Sequence, residues 1–282
     1  MVKICSDSCV DLPKSLIIEN NIEILPLTVM LGDEEYYDGV NIAPNDIFAY
    51  VEKTGELPKT AARGVEDFKT FFAKLLEDGD EVVYCGIGSK LSSAYNNAVK
   101  AKAELGSDKL FVVDSQSLST GIGLLVLYAA QLAKKGLDGR AIAKYLEKQA
   151  SYNQTSFVVD KLDYLHKGGR CSATAKFGAN LLKIKPKLQL LDGEIKNTGK
   201  FIGQIKKVVK KYIDDTLEKY NNMKKDYCFI THTCNDSKFI EELIEMVKQK
   251  NIFKNVYSSF AGATIASHCG ENTVGILYLL EE

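Results

Sequence analysis

One stretch, EVVYCGIGSKLSSAYNN at residues 81–97, limits the folds open to this chain more than any other. It begins with an apolar, β-rich segment, passes through Gly86 and Gly88, and reaches three serines at the start of a helical pattern. A strand followed by a tight turn and a helix start is the basic step of α/β folds. Two roles are open for the serines. A hydroxyl at such a start caps the helix through backbone N–H groups, or it joins those N–H groups in binding an anion.

The same order of strand, hydroxyl-rich loop and helix occurs three times in the first half of the chain. Residues 2–5 precede the SDS segment at 6–8, and residues 110–113 precede DSQSLSTG at 114–121. This repetition predicts parallel strands joined by right-handed crossovers, so the loops that follow the strands gather on one edge of the sheet. Ligands bind at that edge in open α/β sheets, although ordinary turn chemistry explains each polar cluster equally well.

Other local signals place further elements. Asp192-Gly193 separates two β-rich runs and predicts a hairpin. Residues 22–30 predict one extended segment, and residues 173–181 predict a helix. The strands and helices after the hairpin complete a second domain of mixed α/β character.

The chain is therefore predicted to have an α/β fold with two α/β domains. The N-terminal domain, residues 1–155, has a mostly parallel sheet with flanking helices. The C-terminal domain, residues 156–282, has a mixed sheet with helices. A length of 282 residues with 45% hydrophobic content is sufficient for two such cores.

Charge and hydropathy exclude several classes of function. Lys and Arg number 36 against 37 for Asp and Glu, so no whole-chain field attracts nucleic acid or an acidic membrane. Local patches, and with them transient contact with a membrane surface, stay open. No window approaches the ~18 uninterrupted apolar residues of a spanning helix, and the N-terminus does not resemble a signal peptide. We expect a cytoplasmic protein that does not bind nucleic acid.

The seven cysteines are scattered and contain no C-x-x-C pair, which indicates reduced thiols rather than a disulfide framework. A cysteine enzyme using Cys85, Cys171 or Cys269 would rest on residue type alone. A metal site would have to be assembled from His232, Cys234, His268 and Cys269. Their spacing is not that of zinc ligands, so we expect no metal.

Seven sequence blocks, in order along the whole chain, carry a family resemblance. They are SDSCVDLP (6–13), PKT (58–60), SKLSSAY (89–95), DSQSLSTGIG (114–123), LDYLHKGGR (162–170), KP before the DG hairpin (185–193) and SHCG (267–270). The chain resembles the DegV family of bacterial fatty-acid-binding proteins. The resemblance implies two α/β domains with one long-chain fatty acid, such as palmitate or stearate, held between them. It implies no cofactor and no catalytic residue.

The resemblance also implies a partner and a set of site residues. The partner is a separate fatty-acid kinase that phosphorylates the carboxylate of the presented acid, giving an acyl phosphate for phospholipid synthesis. Matched by position, the hydroxyls of Thr60 and Ser92 would bind the carboxylate, and His268 would belong to the same network. Arg170 would lie at the pocket mouth, near the kinase.

Two departures from the family pattern concern this network. The family usually has a second hydroxyl after the threonine and Gly-Thr after the serine, whereas this chain has Ala61, Ser93 and Ala94. The head-group network is therefore expected to be thinner or differently arranged. Ser93 is the candidate that would replace a lost hydroxyl.

The rival interpretation is a serine-dependent hydrolase or acyltransferase that uses Ser92 and His268. No G-x-S-x-G elbow surrounds Ser92, and no acid is obviously placed to orient His268. The glycines at 86 and 88 are also only a fragment of the dinucleotide fingerprint, since Leu91 stands where its third glycine belongs. A lipid-binding carrier without turnover is the preferred prediction.

Overall fold

The computed structural model describes residues 1–77, 80–170 and 184–282. The strands within these ranges are β1 (Val2–Asp7), β2 (Ile22–Leu25), β3 (Thr28–Leu31), β4 (Glu34–Tyr37), β5 (Lys59–Ala61), β6 (Glu81–Gly86), β7 (Leu110–Asp114), β8 (Asn153–Val158), β9 (Ile184–Leu191), β10 (Glu194–Ile202), β11 (Met223–His232), β12 (Asn255–Phe260) and β13 (Val274–Leu280). The helices are α1 (Lys14–Glu19), α2 (Pro44–Thr54), α3 (Val65–Leu76), α4 (Ala94–Leu105), α5 (Thr120–Lys134), α6 (Gly139–Ala150), α7 (Asp163–Lys167), α8 (Ile205–Leu217), α9 (Ser237–Gln249) and α10 (Ala263–Cys269). The helix predicted at residues 173–181 lies outside the described residues.

The first sheet has the order β2-β1-β6-β7, and all of its neighbouring strands are parallel. The three strands that precede hydroxyl-rich loops are therefore adjacent, as the repeated pattern predicts. The extended segment predicted at residues 22–30 is two strands in two different sheets. Pro26 lies between them, and because proline has no N–H to give to a ladder, the strand ends there.

The second sheet is mixed and has the order β10-β9-β8-β13-β11-β12. β9 and β10 form the predicted hairpin, and both residues of its turn have positive φ (Asp192 +52°, Gly193 +76°). β8 crosses the predicted division at residue 155, since it begins at Asn153. The assignment of domains to residues 1–155 and 156–282 stays a prediction, and the second sheet begins two residues before that division.

A small third sheet, β4-β3-β5, adds a wall beside α10. β3 is its central strand, and Thr60 of β5 lies opposite Val29 of β3. Buried apolar side chains from β3, α2, the segment before α2 and α10 form a separate cluster there: Val29, Ile42, Ile47, Phe48, Ala263 and Ala266. The small sheet thereby fixes the position of α10, although the two are about two hundred residues apart in sequence.

Helix α5 lies between the two large sheets. Its residues 120–130 are all buried, and it contacts β1 and β6 of the first sheet as well as β8, β11 and β13 of the second. A helix that is apolar on every side is expected to be enclosed in this way. The approach is close at Gly121, where a Cβ would lie 2.3 Å from Thr155 Oγ1 of β8. One core therefore continues from the first sheet to the second.

Within the described ranges, no helix combines the length and the apolar character needed to cross a membrane.

Candidate functional site

A threonine and a histidine from opposite ends of the chain meet beside the third sheet. Thr60 Oγ1 and His268 Nε2 are 2.7 Å apart and share a hydrogen bond. Thr60 lies in β5 and His268 in the last turn of α10, and the packing of α10 on β3 and β5 brings them together. Sequence reasoning found both residues only through the family resemblance, because no local pattern connects positions 208 apart.

His268 is neutral at physiological pH. Burial, and secondarily the positive charge of Arg170, lower the pKa of His268 to about 4. Its Nδ1 atom is buried and has no hydrogen-bond partner among the described residues. A carboxylate placed beside this ring would raise the pKa of His268, since a negative charge favours the imidazolium form.

Ser92 lies in the loop between β6 and α4 and is partly buried. Its Oγ accepts a hydrogen bond from Ala94 N at 3.2 Å, so the serine contributes to the start of α4. A hydroxyl keeps its own proton to donate when it accepts a bond. The two roles considered for this serine, helix cap and anion ligand, are therefore compatible.

Ser93 occupies the N-cap position of α4 but makes no capping hydrogen bond through its side chain. It is exposed, and it is not among the residues that line the cavity described below. Its predicted role as a substitute hydroxyl stays a prediction, which the binding assay below tests.

Arg170 and the glycines before it form the edge of the site. The exposed Arg170 side chain donates to Gly168 O at 2.7 Å and approaches Leu91 O at 3.5 Å. The two glycines differ in what they require. Gly169 has φ +69°, whereas Gly168 has an ordinary φ but lies so close to His268 that a Cβ would be 2.5 Å from Nδ1.

One cavity, which we call the Thr60 cavity, is lined by Thr60, Ser92, Arg170 and His268. Its walls are Leu27, Thr60, Ala61, Ala62, Ile87, Leu91, Ser92, Leu118, Leu165, Arg170, Ile195, Thr264, Ile265, His268 and Cys269. About 50 Å³ of the cavity is open to the centre of a water-sized sphere. Ten of the fifteen lining residues are apolar or cysteine, and the polar ones include every predicted site residue except Ser93. Thr264 also lines the cavity and was missed by sequence reasoning.

A second cavity, which we call the Phe157 cavity, adjoins the first. The two share Leu118, Ile265 and Cys269, and the second has about 30 Å³ open to the centre of a water-sized sphere. Its other apolar walls include Phe157 and Leu277 of the second sheet. It also has hydroxyl groups in its lining, but these bond within the protein: Thr155 with Ser117, Thr231 with Thr120, Thr233 with Gly270 O and Thr273 with Cys269 O. Because these hydroxyls are already satisfied, the interior favours an apolar occupant.

Two buried aspartates hold α10 against the first half of the chain. Asp38 accepts hydrogen bonds from Ala263 N at 2.8 Å and Thr264 N at 3.1 Å, and Asp11 accepts one from Gly262 N at 2.8 Å. Backbone N–H groups at a helix start have no intrahelical partner, so these carboxylates satisfy them. The polar cluster after β1 is therefore used, in part, to position the helix that carries His268.

The geometry does not assemble the arrangement that the rival hydrolase needs. His268 bonds to Thr60 rather than Ser92, and no described acid contacts its Nδ1 atom. Of the metal-ligand candidates, His232 bonds through Nδ1 to Cys234 O and through Nε2 to Ser258 Oγ. Residues 1–77, 80–170 and 184–282 hold no group of three or more His, Cys, Asp or Glu side chains placed to bind a metal ion.

Comparisons with known proteins find a matching family model and relatives of similar sequence and structure. The family model described as "Uncharacterised protein, DegV family COG1307" matches residues 1–281. A DegV domain-containing protein of Clostridium perfringens is 31% identical over 99% of both chains. A solved DegV family protein from Thermus thermophilus, described as binding fatty acid, has a TM-score of 0.90 at 29% identity over 99% of both chains. A stearic acid-binding protein from Eubacterium ventriosum has a TM-score of 0.85 at 26% identity, over 99% of this chain and 98% of its own.

Proposed function

The chain belongs to the DegV family, and on that basis we propose that it binds one long-chain fatty acid, such as palmitate or stearate. The carboxylate lies in the Thr60 cavity, and the acyl chain extends past Leu118 into the Phe157 cavity. The observation that carries this proposal is that the two cavities share a wall: hydroxyls and a histidine line the first, and apolar residues and hydroxyls bonded within the protein line the second. The fatty-acid binding named for its relatives from Thermus thermophilus and Eubacterium ventriosum supports the same ligand class.

The tail supplies most of the affinity. Each buried methylene contributes roughly 0.8 kcal/mol, so about fourteen of them supply on the order of 11 kcal/mol before the costs of ordering and association. Each hydroxyl hydrogen bond adds about 1 kcal/mol net. Thr60, Ser92 and His268 therefore orient the carboxylate and fix which end of the ligand lies at the mouth.

The test is native mass spectrometry of protein purified without added lipid, followed by denaturation and lipid analysis. We expect a non-covalent long-chain fatty acid on the wild type, and about tenfold weaker palmitate binding in Thr60→Val and Ser92→Ala. The exposed Ser151, outside both cavities, provides Ser151→Ala as the matched control. Ser93→Ala belongs in the same assay: weaker palmitate binding would support its predicted role as a substitute hydroxyl, and unchanged binding would contradict it. A protein that does not bind palmitate, or that carries a covalent acyl group on Ser92, would contradict the carrier role.

We also propose that the bound acid is presented to a separate fatty-acid kinase in the cytoplasm. A carboxylate oxygen attacks the γ-phosphorus of the kinase's ATP, a new O–P bond forms, and the bond to ADP breaks. The chain itself acts as a carrier and has no catalytic residue in this scheme. Arg170 supports the proposal, because an exposed guanidinium beside the cavity mouth suits an acidic or phosphorylated surface.

Arg170→Ala separates presentation from binding. We expect palmitate affinity to stay within about threefold and acyl phosphate formation by a purified bacterial fatty-acid kinase to fall about tenfold, since exposed charges act mainly on association. Arg140→Ala, on the exposed end of α6 and outside both cavities, is the control. Unchanged binding together with unchanged phosphoryl transfer would remove Arg170 from the mechanism.

A further inference from the structure

One buried hydroxyl in the Thr60 cavity has no hydrogen-bond partner among the described residues. Thr264 is 4% exposed, its Oγ1 atom makes no hydrogen bond to any described residue, and it lines the cavity with Thr60, Ser92 and His268. Leaving a buried hydroxyl unpaired is costly, and most such groups in folded proteins are satisfied. An unpaired donor in the wall of a binding cavity therefore indicates a missing acceptor.

The place of Thr264 in its helix explains why its hydroxyl makes no internal bond. A helical Ser or Thr usually donates to the carbonyl four residues earlier, as Ser267 does to Ala263 O at 2.7 Å. Thr264 is the second residue of α10, so the residue four positions earlier, Phe260, belongs to β12 and not to the helix. Its hydroxyl therefore has no intrahelical acceptor, and its proton is available to the cavity.

The position of Thr264 suits the ligand's carboxylate. It is four residues before His268 on α10, so the two side chains lie on the same helix face, one turn apart. Its backbone N–H is held by Asp38, which fixes the start of the helix and with it the threonine. Two other lining residues, Ala61 and Ala62, offer no hydroxyl to the carboxylate.

We infer that Thr264 donates a hydrogen bond to the fatty-acid carboxylate, as a third hydroxyl ligand beside Thr60 and Ser92. This inference rests on the proposed function and adds a binding residue to it. It also accounts for a head-group site that lacks hydroxyls at Ala61 and Ala94. A carboxylate has about four acceptor positions, enough for the three hydroxyls of Thr60, Ser92 and Thr264.

The test compares palmitate with hexadecanol, which has the same chain length but no carboxylate. Thr264→Val removes the hydroxyl at nearly constant volume. We expect it to weaken palmitate binding about tenfold and to leave hexadecanol binding within about twofold, because hydrogen bonds to charged groups are the stronger ones. Thr264→Ser should restore palmitate binding. Ser267→Ala, which removes a satisfied hydroxyl from the same helix, is the matched control.

The outcomes are distinct. Unchanged palmitate binding in Thr264→Val, or an equal loss for palmitate and hexadecanol, overturns the inference and assigns Thr264 to packing alone. A wild type that does not bind palmitate overturns the proposed function and this inference together. If Thr264→Val does not fold, Thr264→Ala removes the same hydroxyl and carries the same expectation.

Discussion

Replacing Gly168 by alanine is expected to damage both the stability of the protein and its affinity for palmitate. The added Cβ would lie 2.5 Å from His268 Nδ1 and 2.8 Å from Tyr164 O, and real contacts are not that short. Relief requires the imidazole or the end of α7 to move. Because Thr60 holds the other ring nitrogen at 2.7 Å, a displaced imidazole loses that bond. Overpacking of this kind costs about 1–3 kcal/mol of unfolding free energy.

We expect Gly168→Ala to lower the unfolding free energy by about 2 kcal/mol and palmitate affinity by about tenfold. Urea denaturation and calorimetric titration measure the two effects. Gly169→Ala is the control, since a Cβ there meets nothing within 4 Å but the residue has φ +69°. Its expected cost is about 1 kcal/mol of stability with no loss of affinity. A Gly168→Ala protein that binds palmitate like the wild type would show that the His268 position is not needed.

The two neighbouring glycines illustrate what sequence alone can and cannot give. A GG pair before Arg170 predicts a turn. It does not show which glycine is required by its backbone conformation and which is required because a residue from another part of the chain lies too close for a Cβ. Gly168 is constrained by His268, which lies 100 positions later in the sequence. Contacts of this kind have no local signal, because they depend on how distant elements pack.

The parallel sheet was predictable for the opposite reason. Each of its three strand, loop and helix repeats is a local pattern of apolar runs, glycines and hydroxyls, and the repetition itself implies parallel strands. The hairpin at Asp192-Gly193 was equally local. The extended segment predicted at 22–30 is divided into two strands in the structure, because the apolar pattern continues across Pro26 while the backbone hydrogen bonding does not.

The candidate site was reached through the family resemblance, and the parts without a family motif were missed. Asp38 holds the start of α10 across a separation of 225 residues, and nothing in its own surroundings predicts this contact. Thr264 was also missed, because a threonine near a helix start is usually interpreted as a local cap. In the structure, Asp38 accepts a hydrogen bond from the backbone N–H of Thr264, and the Thr264 hydroxyl has no partner among the described residues. Its importance therefore appears only when the whole cavity is assembled.

Leu118→Trp is expected to have the largest effect on ligand binding. Leu118 is 7% exposed and lines both cavities, so a larger side chain there obstructs an acyl chain that extends from one to the other. If about half of a palmitate tail is displaced, roughly seven methylenes lose their burial at roughly 0.8 kcal/mol each. Partial repacking reduces this loss, and we expect palmitate affinity to fall at least about a hundredfold. Octanoate, which needs only the Thr60 cavity, should bind within about threefold of the wild type.

The protein contains no natural tryptophan, so the fluorescence of the introduced residue reports directly on ligands at the junction. Leu118→Met conserves volume and should leave palmitate binding nearly unchanged. If Leu118→Trp does not fold, Ile265→Phe obstructs the same junction from α10. Loss of palmitate with retention of octanoate requires the tail to pass Leu118. Equal retention of both acids would mean that the tail leaves the Thr60 cavity by another route, and the Phe157 cavity would then have no part in binding.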